Sequence, residues 1–264
     1  MESNATITPW ELVANTSWGG YVAEVEKRAI LKANTLAGNP TTSLEIGCEG
    51  GRWSKLLTDL GWRMTCTDVD PETLKICKER IPTADCILVQ PEETRIPCES
   101  NSVGLLLCIE VPPVMNSQWF LDEAFRVLQT NGILVGVFLN LLSLRGLWAH
   151  TKARLGHSYD YYKLVYPRWR KELQKEGFRV VYEEGYCWFG FRRDSNSDLV
   201  PFVTQVEKCL GLQRIIALSP WVVFIARKVM ISKNEEGKET ATNQDLLHSN
   251  TAGGCEIKPG GLLV

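Results

Sequence analysis

Between residues 43 and 139 short, almost uninterrupted apolar runs alternate with amphipathic stretches, and no other feature narrows the possible folds as far. Segments 43–47, 63–67, 85–89, 103–109 and 132–139 read as strands, and 52–60, 71–80 and 117–128 as helices. Strands that are apolar on both faces need helices covering both, which is the arrangement of a mostly parallel sheet in an α/β fold. In the first of these helices Trp53, Leu56, Leu57 and Leu60 recur at the spacing of one buried face and Gly61 stops it, so Trp53 is expected in the core.

The texture changes on either side of this block. Val22, Val25, Ala29 and Leu36 mark an amphipathic helix over 21–36. Segment 142–169 mixes leucine, aromatic and basic residues without strand alternation and reads as a helical insert. A helix over 170–177, a strand over 178–189, a helix over 199–210 and a closing strand over 220–228 follow. The expected organisation is an N-terminal helical cap (1–40), a main domain (41–230) that contains the insert or lid (142–169), and a polar, aperiodic tail (231–264) expected to be disordered.

Composition removes several classes. At 264 residues and 44% hydrophobic content the chain can fill one sizeable core. Lys and Arg number 29 against 31 Asp and Glu, with no dense basic block, so nucleic acid is not favoured as a partner. The nine cysteines are odd in number and never form CxxC, which reads as reduced, buried thiols of a cytoplasmic protein and not as a disulfide frame or a zinc site. The N-terminus has neither a basic start nor an apolar run, so no signal peptide is expected. The longest apolar run, 133–142, is interrupted by Asn140 and is too short to span a bilayer.

The chemistry concentrates in "SLEIGCEGGRWSKLL". A strand ending at Gly47, a turn with Gly50 and Gly51 and then a helix aim free backbone N–H groups at the carboxyl edge of the sheet, where a carboxylate or phosphate is welcome. Asp68 ends the next strand, where a carboxylate can accept two ribose hydroxyls. Asp70 precedes Pro71 and is the natural N-cap of the following helix, which leaves Asp68 for a ligand. The dinucleotide fingerprint G-x-G-x-x-G is missing, which sets NAD back.

Taken together, "LEIGCEGGRWS", "CTDVDPETL", "EETRIPC", "NSVGLLLCIEV" and "FLDEAFRVLQTNGILVGV" resemble, in order and spacing, the motifs of the class I S-adenosylmethionine-dependent methyltransferases of the type 11 branch. The resemblance implies a Rossmann-like, seven-stranded, mostly parallel sheet with an antiparallel last strand, and S-adenosylmethionine as cofactor. It implies that Glu45 organises the methionine ammonium and that the backbone at Gly47, Cys48 and Gly51 packs on the methionine part and sugar. Asp68, with Val69 beside it, would take the ribose hydroxyls. Glu92 and Glu93 would face the adenine amino group. Cys108, Ile109 and Glu110 would border the methyl donor, and Glu123 and Arg126 would be structural. Two positions depart from the family pattern: Glu49 replaces the middle glycine of the loop, and Gly104 stands where an aspartate is common.

For Glu49 two readings are open: a carboxylate tolerated at a helix start, worth about 0.3–1 kcal/mol at an exposed position, or one that also attracts the ammonium or sulfonium of the cofactor. The methyl acceptor, a small molecule or a lipid- or sugar-linked metabolite, is expected between the insert and the N-terminal Trp10, Trp18 and Tyr21. Within the insert His157 is a weak candidate base, since its unperturbed pKa lies near neutrality, and Tyr159, Tyr161, Tyr162 and Tyr166 could line a pocket. The stretch "LLSLRGLWAHTKARL" permits either a lid packed on its own protein, the safer choice, or an interfacial helix in peripheral contact with lipid. The rival functions are a catalytically silent S-adenosylmethionine-binding scaffold and a nicotinamide-dependent oxidoreductase.

Overall fold

Seven strands form one sheet in the order β3-β2-β1-β4-β5-β7-β6. They are β1 (Thr42–Ile46), β2 (Arg63–Asp68), β3 (Asp85–Leu88), β4 (Val103–Cys108), β5 (Leu128–Leu139), β6 (Phe178–Tyr186) and β7 (Trp221–Lys228). In the computed structural model, which describes residues 7–157 and 160–229, β1 to β5 pair in parallel and β7 runs antiparallel to both β5 and β6. This is the class I methyltransferase fold that the sequence motifs imply. The tail expected over 231–264 and Tyr159 lie outside the described residues. Among the described residues no helix is long and apolar enough to cross a membrane.

The helices are α1 (Pro9–Ala14), α2 (Ser17–Ala37), α3 (Arg52–Asp59), α4 (Pro71–Arg80), α5 (Pro112–Met115), α6 (Phe120–Val127), α7 (Leu144–Arg154), α8 (Tyr166–Lys175) and α9 (Leu199–Cys209). Strand β4 shows how the two faces are built. Leu105 and Leu107 join the cluster under α2 and α3, with Trp18, Ile30, Trp53 and Leu57, whereas Leu106 and Cys108 join the cluster under α6 and α8, with Phe120, Phe138 and Trp169. Each such leucine contributes about 1.5–3 kcal/mol of burial, an upper value because the unfolded chain is already partly collapsed. Gly104 has no room for an aspartate: a Cβ there would lie 2.7 Å from Thr41 Oγ1 and 3.3 Å from the Trp62 ring.

Several sequence boundaries shift, each for a local reason. Helix α2 begins at Ser17, before 21, because the Thr16 hydroxyl caps it by accepting from Gly19 N. Helix α8 begins at Tyr166 and not at 170, since Pro167 is compatible with a first helical turn. The insert is therefore only partly helical: α7 covers 144–154, and 160–165 carry no helix. Helix α6 starts at Phe120 after the short α5, and β5 starts at Leu128, reached through a register irregularity against β4.

Asn140, the polar break in the longest apolar run, is fully buried just past β5 and ties together the loops at the carboxyl edge. Its amide donates to Ala217 O (2.9 Å) and Ser219 O (3.0 Å) and accepts from Leu142 N (3.2 Å) and Tyr166 N (3.0 Å). Replacing it strands buried backbone groups, each costing about 1–3 kcal/mol. Asn140→Leu is therefore expected to lower the stability in urea by about 3 kcal/mol or more, while Asn116→Leu, at an exposed-loop amide with one bond to Tyr161 O, should change it little.

Candidate functional site

The turn after β1 is fastened to the end of β2. Gly47 N and Cys48 N both donate to Thr67 O (2.8 and 3.0 Å), and Glu49 N donates to Asp68 Oδ2 (2.7 Å). Three successive N–H groups can converge this way because Gly47, Glu49 and Gly51 take positive φ of 67°, 50° and 75°. The other oxygen of Asp68 accepts from Val69 N (2.8 Å) and Asp70 N (3.0 Å). The carboxylate is thus fixed at the carboxyl edge, and of its roughly four lone-pair sites one, on Oδ2, is left for a hydroxyl donor. Asp70 accepts from Glu72 N (2.9 Å) as the N-cap of α4, the role its position before Pro71 predicts.

The side chain of Glu49 turns to a helix that the sequence reading did not consider. It accepts from Trp10 N (3.3 Å) in the first turn of α1, not at the start of α3. Helix α1 is pressed onto the loop: a Cβ on Gly50 would lie 2.5 Å from Thr8 Cγ2, and Glu11 pairs with Arg80 on α4 at 2.8 Å. Burial raises the Glu49 carboxyl above its ordinary value.

Beneath the loop Glu45 is buried and accepts from the Ser54 hydroxyl on α3, and Ser54 Oγ lies 3.1 Å from Cys66 Sγ. Desolvation pushes the Glu45 carboxyl up to about 8. The sulfurs of Cys48, Cys66 and Cys77, all buried, lie within 4.8 Å of one another, with Cys86 Sγ 4.0 Å from Cys77 Sγ. The sequence treats these thiols as separate buried residues. Their convergence from a loop, a strand and a helix gives a set that a soft, thiophilic ion could use.

At the end of β4, Cys108 and Ile109 are buried and Glu110 takes a positive φ of 55°. Its carboxylate pairs with the Arg193 guanidinium, which lies 4.4 Å from the Trp10 ring and 5.3 Å from the Trp221 ring. Glu26 on α2 is wholly buried beside this pair. Among the described residues its Oε2 has no hydrogen-bond partner, Arg52 Nη2 being 3.7 Å away, and Oε1 accepts from Tyr186 OH at 3.4 Å. Desolvation, and then the neighbouring Glu110, raise the Glu26 carboxyl well above the carboxylate range. Sequence reading missed Glu26, although its signal is visible: it falls on the same helical face as Val22, Val25 and Ala29. Arg193 carried no such signal.

The remaining candidates are dispersed. Glu92 and Glu93 are exposed in the turn beyond β3, and Val69 is exposed beside Asp68. His157 is exposed past the end of α7, apart from the loop; His150 instead meets Asp160, Nδ1 to Oδ2, at 2.9 Å. Trp18 is core and packs on Tyr21, whose hydroxyl bonds Glu207 and which lines the cleft beside β6 and α9, away from Asp68 and Glu110. Tyr162 OH accepts from Trp221 Nε1 (2.7 Å) and Tyr166 OH donates to Glu183 (2.6 Å). Glu123 and Arg126 pair and bind the backbone at Ile96 and Cys98, holding the connection from β3 to β4. Clefts of about 490 Å³ beside α1, α2 and α3 and about 440 Å³ beside β6 and α9 lie away from Asp68 and Glu110. The converging polar groups, and not these clefts, define the site.

Residues 44–136 match the family model described as a methyltransferase domain. An uncharacterized methyltransferase-like protein of Schizosaccharomyces pombe is 27% identical over 153 residues, 57% of this chain and 57% of that protein, so the match spans little more than half of the relative's length. A proposed S-adenosylmethionine-dependent methyltransferase from Listeria monocytogenes superposes with a TM-score of 0.57 at 15% identity, covering 80% of this chain and 100% of that one. An S-adenosylmethionine-dependent methyltransferase from Mesorhizobium loti gives 0.55 at 13% identity, covering 81% and 99%. At these identities the structural likeness carries the fold. The chain resembles class I methyltransferases in its motifs and in its architecture alike.

Two measurements follow from this geometry. The folded Glu45 carboxyl, at about 8, lies above its unfolded value of 4.5, so its protonated form stabilises the protein fully below pH 4.5 and this contribution is lost as pH rises towards 8. Between pH 5 and pH 8 the melting temperature of the wild type is expected to fall at least about 3 °C further than that of Glu45→Gln, the shift that about 1 kcal/mol produces in a domain of this size. Glu49→Gly should relieve left-handed strain but release α1: proteolysis near α1 accelerates, while affinity for S-adenosylhomocysteine changes less than about fivefold, since less than 1 kcal/mol is at stake.

Proposed function

We propose that this chain, whose residues 44–136 carry a methyltransferase domain, binds S-adenosylmethionine at the carboxyl ends of β1, β2 and β4 and transfers its methyl group to a small-molecule or lipid- or sugar-linked acceptor. The observation that carries the reading is the fixed juxtaposition of Asp68 with the glycine turn, one hydrogen bond apart. A carboxylate held there suits ribose hydroxyls, and a second carboxylate, Glu49, on the turn itself, together with the missing G-x-G-x-x-G, disfavours the diphosphate of a dinucleotide.

The donor set fits the cofactor at its other end as well. Glu26 and Glu110 stand side by side near the end of β4, where burial and the neighbouring Glu110 hold the Glu26 carboxyl in its neutral form. An ammonium or sulfonium brought there would favour the charged form of Glu26 and be held by it. Glu45 would act from below, holding α3 and thereby the turn, and Glu92 and Glu93 would face the base. When bound, the cofactor supplies an already activated methyl group, so what the protein must add is alignment of the acceptor and exclusion of water. Trp10, Arg193, Tyr162 and Trp221 form a continuous contact series beside Glu110 and would border the acceptor. A general base is required only for an acceptor that must lose a proton; His150, oriented by Asp160, joins His157 as a candidate for this.

Calorimetric titration with S-adenosylmethionine, S-adenosylhomocysteine and NAD tests the reading. Both sulfur nucleosides are expected to bind at micromolar Kd, with at least a tenfold loss in Asp68→Ala, as removal of charge-assisted hydrogen bonds of about 1.5–3 kcal/mol requires. Binding of NAD alone, or no binding, would overturn it; binding without turnover on any acceptor would favour the silent scaffold.

A further inference from the structure

Helix α7 is built the reverse of an ordinary surface helix. At 3.6 residues per turn, Leu144, Leu147, Trp148 and Leu155 fall on one stripe, and they are 89%, 49%, 67% and 68% exposed. Gly146 is buried, and Ala149 and Ala153 are half-buried, on the opposite side. A helix that only covered its own protein would turn the leucines inward, so packing on its own protein does not account for this face. Lys152 and Arg154 flank the stripe on its two sides, and Lys152 Nζ lies 5.2 Å from the Trp148 ring. Within 141–157 there is no Asp or Glu, although the whole chain carries a formal charge of -2.

We propose that α7 docks the protein on membranes with anionic headgroups, Leu144, Leu147, Trp148 and Leu155 entering the boundary between headgroups and acyl chains while Lys152 and Arg154 meet the phosphates. Charge selects this occupant. An apolar stripe with tryptophan and leucine flanked by a lysine on one side and an arginine on the other has the polarity of an interfacial helix, whereas protein interfaces are depleted in lysine. Position supports it. The Arg145 guanidinium, on the first turn of α7, lies 5.9 Å from the Trp221 ring, and Arg193 approaches the same ring at 5.3 Å while pairing with Glu110. Trp10 on α1, which touches Arg193, is itself 51% exposed. The apolar stripe therefore stands on the rim of the candidate site, and docking would turn that rim towards the lipid, where a lipid-borne acceptor could be reached. The docking goes beyond the methyltransferase reading and does not depend on it.

Vesicle flotation of the full chain tests the proposal. The protein is expected to float with vesicles containing phosphatidylglycerol and to stay behind with pure phosphatidylcholine, and the Leu144→Glu/Trp148→Glu variant should lose at least tenfold in partitioning. Lys152→Glu/Arg154→Glu should lose binding at low salt, and the gap between it and the wild type should close at high salt as the charges are screened. An unchanged melting temperature and S-adenosylhomocysteine affinity in Leu144→Glu/Trp148→Glu would show the fold intact. A wild type that ignores anionic vesicles, a double variant that floats as well as the wild type, or a dimer in light scattering that the variant dissolves while vesicles recruit nothing would each overturn the docking. Failure of the wild type to bind S-adenosylhomocysteine would instead strike the cofactor reading alone.

Discussion

The end of β2 takes up three consecutive N–H groups of the turn after β1, two on the Thr67 carbonyl and one on the Asp68 carboxylate. Much of the site depends on this attachment. It sets where α3 begins, it brings the only acid ending β2 against the loop, and it requires a left-handed residue at Glu49. Left-handed backbone costs an ordinary residue about 1–2 kcal/mol, and one charge-assisted hydrogen bond contributes about as much in return. The same geometry that makes a glutamate awkward here thus supplies the bond that holds it.

Charge at the carboxyl edge is arranged around this turn with little slack. Glu45 below the loop has a serine as its partner, Glu26 has a distant arginine, and Glu110 has Arg193. Desolvation favours the neutral form of the first two. Arg193 is shared between an acid and two aromatic rings, so the segment after β6 and the N-terminal helix both report on the state of Glu110. Residues that read as separate in the chain form one electrostatic unit in the fold.

What was legible in the sequence is what local rules determine. Near-continuous apolar runs gave β4 and β5, a proline after an acid gave the cap of α4, and the spacing of Trp53, Leu57 and Gly61 gave α3 and its burial. What stayed hidden depends on contacts across long stretches of chain. Nothing near Glu49 announces Trp10, and nothing near Glu110 announces a partner 83 residues on. The three thiols beneath the loop come from three elements whose spacing is irregular. Helix α7 reads as amphipathic, but periodicity does not say that its leucines face outward and its small residues inward. The start of α8 is hidden because Pro167 reads equally as part of an irregular insert and as a first helical turn.

The reversed strand has a consequence for how the chain is made. Strand β7 enters between β5 and β6, so both of its neighbours are synthesised before it. Until residues 221–228 leave the ribosome, β5 presents a long unpaired edge and β6 has no sheet to join. An emerging polypeptide in that condition is exposed to the edge-to-edge pairing that drives aggregation. The last strand therefore acts as the closing step of assembly, and a nascent chain stalled just short of it would be a natural client for chaperones.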